Sequence, residues 1–215
     1  MLTTSFRNSI LGTMDGAALS AWTPYVGLLT AITDWRAGTV TEAAYPGYGT
    51  RPSCSFGASA DTSPVGGRQV ANDAAVTFPQ NTGASEDQIA FGLYTADTGG
   101  TLRAIGLLDA DPPVFGVGNL DDTIDAYAHG LATDQRVFVL AAPGAVIPTG
   151  LSENVPYFVL AAGLTADVFS LSTSSGGAAV NITVGGAALF IPYKAITVAG
   201  SATPSFGIGT LIVQL

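Results

Sequence analysis

Charge is scarce in this chain. Charged residues make up 11% of its 215 residues, against about 25% in an average soluble domain. Lys194 is the only lysine, and the arginines are scattered, the nearest two in sequence being Arg36 and Arg51. The formal net charge is −9. A nucleic-acid binder needs clustered cations to neutralise phosphates. No such cluster exists in the sequence, so nucleic acid is not an expected partner. Cysteine is nearly absent too. Cys54 stands alone, which excludes an intrachain disulfide and a cysteine-based metal site and leaves the role of a small buried hydrophobe. Histidine occurs once, at His129. No apolar run approaches the length of about eighteen residues that spans a bilayer. The opening Met1-Leu2-Thr3-Thr4-Ser5 lacks the basic start and apolar stretch of a secretory signal. A membrane partner is therefore not expected.

What replaces charge is Gly, Ala, Ser, Thr and strand-forming residues. Hydrophobic residues reach 47%, with 27 Gly and 12 Pro. That hydrophobicity is too high for disorder, and the punctuation suits short strands joined by tight turns. The best helix candidate is Ser5 to Met14, with Ser5 as its cap and Phe6, Ile10 and Met14 on one face. Strands are expected at Pro24 to Thr30, Gly49 to Phe56 (an edge, because of Pro52), Ala74 to Pro79, and Ile89 to Tyr94. Asp34 to Gly49 reads as turns, and Gly66-Gly67 as a break. Asp97-Thr98-Gly99-Gly100 followed by Thr101 to Leu108 completes a hairpin, because Gly-Gly accepts the positive φ of a tight turn.

From about Val114 the texture changes. Arg136 to Leu140, Pro156 to Leu160 and Asp167 to Leu171 read as short strands, Ile182 to Val184 and Ala187 to Ile191 as added edges. Ala195 to Val198 and Thr210 to Leu215 close the chain. Strands at such spacing without helices between them indicate an all-β sandwich or barrel. The expected architecture is a jelly-roll-like β-sandwich with a short N-terminal helix and a small inserted β domain. Residues 1–115 plus 190–215 form the parent domain and 116–189 the insert.

Chemistry is weakly signalled. A Ser-His-Asp hydrolase would have to use His129, but no Gly-x-Ser-x-Gly elbow accompanies it, and it precedes Gly130-Leu131 at a turn. Asp109, Asp111, Asp121, Asp122 and Asp125 lack the spacing of a calcium loop, and solvated loop carboxylates are their expected role. Gly116-Val117-Gly118 and Gly207-Ile208-Gly209 do not continue into phosphate loops. Asn181-Ile182-Thr183 matches a glycosylation sequon, a pattern common by chance. Trp22, Tyr25, Trp35, Tyr45 and Tyr48 would suit either a sugar platform or a core, and the core is the expected reading. No catalytic, cofactor-binding or metal residue is assigned, and no cofactor is expected.

Several segments resemble a family of small tailed-phage virion proteins, of the tail-fibre or minor structural kind. Helix-ending Ile10-Leu11-Gly12 is one. Tyr25-Val26-Gly27-Leu28-Leu29-Thr30-Ala31 is similar to a YVGLxTA strand, and Tyr48-Gly49-Thr50-Arg51 precedes another. Ala75-Val76-Thr77-Phe78-Pro79, after Asn72, resembles N-x-A-I-x-F-P. The run Ala90-Phe91-Gly92-Leu93-Tyr94-Thr95-Ala96-Asp97-Thr98-Gly99-Gly100-Thr101-Leu102 resembles an FGIFDAxTGGxLL hairpin. Ala199-Gly200-Ser201-Ala202-Thr203-Pro204-Ser205-Phe206 resembles the family's closing turn. Residues His129 to Val137, Ile147 to Leu151, Tyr157 to Val159 and Phe169 to Leu171 follow an HGLxxGDxV…LPxGL…YYV…FxL module of phage surface appendages, with Asp134-Gln135 in place of Gly-Asp. The resemblance implies a non-enzymatic bacteriophage structural protein on the virion surface. It implies a homo-oligomer that contacts other virion proteins, the major capsid protein or tail proteins. The expected role is head decoration, as a cement protein on the capsid. The alternative is a tail-fibre, tail-tip or baseplate component with a host-carbohydrate-binding role.

Overall fold

The computed structural model describes residues 2–12, 21–58, 60–61, 68–153 and 155–214. Helix α1 (Thr4–Gly12) opens the chain. Eight strands follow: β1 (Tyr25–Asp34), β2 (Thr39–Glu42), β3 (Ala60–Asp61), β4 (Arg68–Ala71), β5 (Val76–Thr77), β6 (Glu86–Gln88), β7 (Ala90–Tyr94) and β8 (Leu102–Leu107). Next come β9 (Val114–Gly118), β10 (Ile124–Asp125), β11 (Arg136–Ala141), β12 (Pro156–Val159), β13 (Val168–Phe169), β14 (Leu171–Ser172) and β15 (Gly186–Tyr193). The chain ends with β16 (Ile196–Val198), β17 (Ser205–Phe206) and β18 (Ile212–Gln214). Two compact units result. Unit 1 takes residues 1–31, 35–106 and 196–215, and unit 2 takes 32–34 and 107–195.

Unit 1 is a four-stranded sheet, in the order β2-β1-β7-β8, with three smaller sheets, β16-β6, β17-β5 and β18-β4-β3. Val26, Leu28, Leu93 and Ala104 from the larger sheet share a core with Val76, Phe78, Val198 and Leu211, which come from or beside the smaller ones. The β7–β8 hairpin forms as its Gly-Gly turn requires, with Gly99 at φ 59° and Gly100 at φ 70°. The helix is capped by Thr3, not Ser5. The Thr3 hydroxyl accepts the Phe6 N–H at 3.4 Å and donates toward the Leu102 carbonyl at 3.2 Å, so one buried group both starts the helix and ties it to β8. Met14, in the expected helix, and the Gly66-Gly67 break lie outside the described residues, as does Leu215.

Two stretches differ from expectation for clear reasons. Within the expected turn region, Thr39-Val40-Thr41-Glu42 pairs with β1 as β2, because three β-favouring residues follow the Gly38 turn at φ 76°. Conversely, Gly49 to Phe56 makes only isolated bridges, Ser53 to Tyr25 and Phe56 to Asn72. Pro52 has no N–H to donate, and its carbonyl alone joins the ladder by accepting the Val26 N–H at 2.9 Å.

Where ladders are short, buried polar side chains stand in for them. Asn72 donates to the carbonyls of Ala74 and Gly207, both at 2.8 Å, and accepts the Leu211 N–H at 2.9 Å. Asn81 donates to Ala84 and Val198 carbonyls and accepts the Gly83 N–H. Each fixes the C-terminal segment against residues more than a hundred positions earlier.

Unit 2 contains one seven-stranded sheet in the order β13-β10-β9-β15-β11-β12-β14, its pairs antiparallel. Its two end strands are one run of chain. Val168-Phe169 pairs with β10, Leu171-Ser172 pairs with β12, and the Ser170 carbonyl between them accepts the Leu160 N–H at 2.9 Å. The sheet thus nearly closes on itself, which removes the free edges an open sheet would expose. Ile124, Val137, Val139, Tyr157, Val159, Phe169, Leu171 and Phe190 fill the interior. The expected strand Asp167 to Leu171 is therefore split, and Ile182 to Val184 is not a strand. The expected edge Ala187 to Ile191 is instead the core of β15, flanked on both sides by β9 and β11.

Candidate functional site

His129 follows β10 at a turn and is buried, at 8% exposure. Its Nδ1 accepts the Leu131 N–H at 2.9 Å, and its ring meets Phe169 edge-on at 5.0 Å. An Nδ1 that accepts a backbone N–H is unprotonated, so a neutral ring carries its proton on Nε2. A triad base has the opposite arrangement, with Nδ1–H donated to a carboxylate and Nε2 free to accept. His129 therefore does not have the geometry of that base. Its Nε2 is buried without a hydrogen-bond partner.

The aspartates are dispersed and take different partners. Asp121 accepts the Thr123 hydroxyl at 2.6 Å. That hydrogen bond holds its carboxyl below the usual aspartate range. Asp122, at φ 67°, accepts the Ile182 N–H at 2.7 Å. Asp109 lies 3.6 Å from the Lys194 ammonium, both exposed, and Asp111 accepts from Gln135 at 3.4 Å. Among the described residues, no three His, Cys, Asp or Glu side chains gather as a metal-ligand set. Cys54 is buried, and burial followed by the nearby Asp73 charge pushes its thiol up to about 11, which leaves little thiolate at neutral pH.

The early aromatic group divides in the same structural direction. Trp35 and Tyr45 are buried, and Tyr48 packs edge-on to Tyr45 and stacks on Phe78. Tyr48 also donates to Glu42 at 2.6 Å. Glu42 in turn receives both Nε and a terminal nitrogen of Arg51, at 2.8 and 2.7 Å. The Arg51 guanidinium lies 3.6 Å from the Tyr94 ring centre and donates to the carbonyls of Ala96 and Gly99. The segment Tyr48-Gly49-Thr50-Arg51 is thereby bonded to the Asp97 to Gly100 turn, joining two of the motifs quoted above. Gly116 and Gly118 also have a packing role. A Cβ on Gly116 would come within 2.7 Å of Ile124 and 2.9 Å of Phe190.

That last contact exposes a feature the sequence concealed. In β9 the small residues Gly116 and Gly118 face inward, and the larger Phe115 and Val117 face solvent. Asp125 pairs opposite Val117, and in the turn beyond β10 Tyr127 lines the same cleft as Phe115. Phe115 is 57% exposed and Tyr127 is 90% exposed. With Asp125, His129 and Pro113 they line a cleft of about 460 Å³. Ala128, between Tyr127 and His129, sits at φ 47°. The Asp167 carboxylate holds it there by accepting its N–H at 2.8 Å. A non-glycine residue in this region carries strain that neighbouring structure must sustain. A period-two reading assigns Phe115 and Val117 to the core, so only the inward glycines could have signalled this face.

The family model for podophage GP4 fiber I protein gp80 matches residues 1–120. No curated protein matches the chain.

Proposed function

The chain belongs to the podophage GP4 fiber I protein family, which makes it a bacteriophage virion structural protein, and from that premise we propose that it is a building block of the tail fibre. The observation that carries this reading is the family match, whose span includes the Tyr25 strand, the Arg51 clamp and the β7–β8 hairpin. The mechanism is association without catalysis. A surface poor in charge is easily buried against copies of itself and against other tail proteins, and repeated copies turn weak contacts into an avid assembly. Unit 2 lies mostly beyond the matched residues.

Head decoration is the second reading. It is favoured by the low charge content of 11%. The two separate in one experiment on particles lacking the gene. A fibre component leaves head rupture temperature unchanged and abolishes adsorption to cells. A cement protein stabilises the assembled shell by mass action, so its loss lowers the rupture temperature and leaves adsorption intact. The second outcome would refute the fibre reading.

A further inference from the structure

We propose that residues 202–214 are an exchangeable arm, which pivots at the turn Ala199–Ala202 and seats in the same groove of a second copy of this chain. The inference rests on the self-association in the reading above, and on neither of its two particle locations.

The arm runs back along residues 69–81 of unit 1. The Asn81 N–H donates to the Ala202 carbonyl at 2.8 Å, and the Phe78 N–H to the Pro204 carbonyl at 2.9 Å. Next β17 pairs with β5 and β18 with β4, and the Asn72 side chain bonds both Gly207 and Leu211. Little burial accompanies these directional bonds. From Ala202 to Ile212 only Leu211 is fully buried, and Phe206 is half-buried against Phe78 and Phe91. A segment with few buried apolar contacts opens locally at low cost. The groove it leaves is costly to keep empty, because Val76 and Phe78 share their core with Leu211 and Phe206.

The groove specifies its occupant. Its bonds are matched to the arm's own sequence and register, and the arm of a second copy supplies the same groups in the same order. Charge agrees with this. No charged residue occurs from position 195 to 215, in a chain of net charge −9. One copy can therefore lend its arm to another without bringing further carboxylates together.

The turn before the arm is built to open. The Ala202 N–H closes it onto the Ala199 carbonyl at 3.0 Å, and Ser201 sits at φ 68°. Such a position in a turn favours Gly or Asn, so serine there carries strain. The Ser201 N–H to Asn81 and the Gln80 side chain to the Ser201 carbonyl hold it. Straightening the turn releases that strain, and short strained hinges favour exchange of an identical element between copies. Ile208 and Ile212, 70% and 48% exposed, add apolar surface that one closed copy leaves in water.

The test places a cysteine on each side of the groove. Thr77 and Ser205 are opposed in register and both exposed, so the double variant Thr77→Cys and Ser205→Cys does not threaten folding. Cys54 is buried with its thiol raised and stays out of the reaction. The purified full chain is sedimented, then oxidised and run on a non-reducing gel. Exchange predicts an oligomer whose copies are joined by disulfides between chains, with no such product from either single variant. Ser201→Gly relieves the hinge and should lower the fraction joined between chains by about fivefold. Deleting Gly200 and Ser201 together should raise it. The proposal is overturned if the link forms only within one chain, whether that chain sediments as an oligomer or a monomer. It is equally overturned if no link forms, if either single variant links chains as well, or if Ser201→Gly leaves the fraction unchanged. An oligomer linked only within its chains would leave self-association standing, and a monomer would remove it, so the two readings fail separately.

Discussion

The two units are both all-β, yet they are held together differently. In unit 1 six of the strands, β3, β5, β6, β16, β17 and β18, are only two or three residues long. Such ladders supply few backbone bonds, and buried amides at Asn72 and Asn81 complete the pairing. In unit 2 the strands form one sheet that returns to itself through Ser170, and its interior is almost entirely apolar. The lesson is that fragmentary sheets depend on specific polar side chains, whereas a nearly closed sheet depends on how well its interior is filled.

The largest effect that sharpens this contrast is expected from Phe190→Ala. Phe190 is fully buried at the centre of unit 2, packed edge-on to Phe169 at 5.2 Å. Truncation should cost about 3–5 kcal/mol. In scanning calorimetry the unit 2 transition should fall by many degrees and the unit 1 transition should stay in place. A common shift of both would mean that the units unfold as one.

Asn72→Ala should act on the other side of the comparison and somewhat less strongly. It removes the side-chain partner of the Leu211 N–H and of the Ala74 carbonyl, while the Gly207 carbonyl keeps Thr210, at about 1–3 kcal/mol. Hydrogen exchange should rise first at Leu211 and across β18 and β4, with the unit 2 amides unchanged. Equal exchange throughout the chain would remove the distinction between the two modes of stabilisation.

Alkaline pH gives the smallest and most graded test. Tyr45 and Tyr94 in unit 1 and Tyr193 in unit 2 are each raised from 10.0 to about 12, first by burial. For Tyr45 the Glu86 charge adds to this, and for Tyr94 the Glu42 charge. The folded state thus favours the protonated phenols. Their contribution is complete below pH 10 and is lost as pH rises from 10 through about 12. Two of the three lie in unit 1, so melting against pH should show its transition falling more steeply than that of unit 2 over this window.

The all-β character, the Gly99-Gly100 hairpin and most strand positions were legible, because alternation and turn residues are local signals. What was not legible depended on long-range pairing. The return of Ser201 to Leu211 onto Asn72 and Asn81 is invisible locally, since a buried asparagine and a turn asparagine look alike in sequence. The outward face of β9 was not legible for a related reason. Alternation tells which residues share a face but not which face is the core, and Gly116 takes the inside because Ile124 and Phe190 already fill it, as Pro148 and Ile182 do at Gly118. His129 was read correctly as a turn residue from its flanking glycine. Its unpartnered nitrogen emerges only when Phe169 and Leu131 are brought around it.

The central claim, that this protein is part of the fibre, is tested most directly by locating it on intact particles. Gold-labelled antibodies raised against the purified chain should decorate the fibres at the tail and leave the heads bare under electron microscopy. Gold distributed over the head surface, with unlabelled tails, would contradict the account and establish the decoration reading in its place.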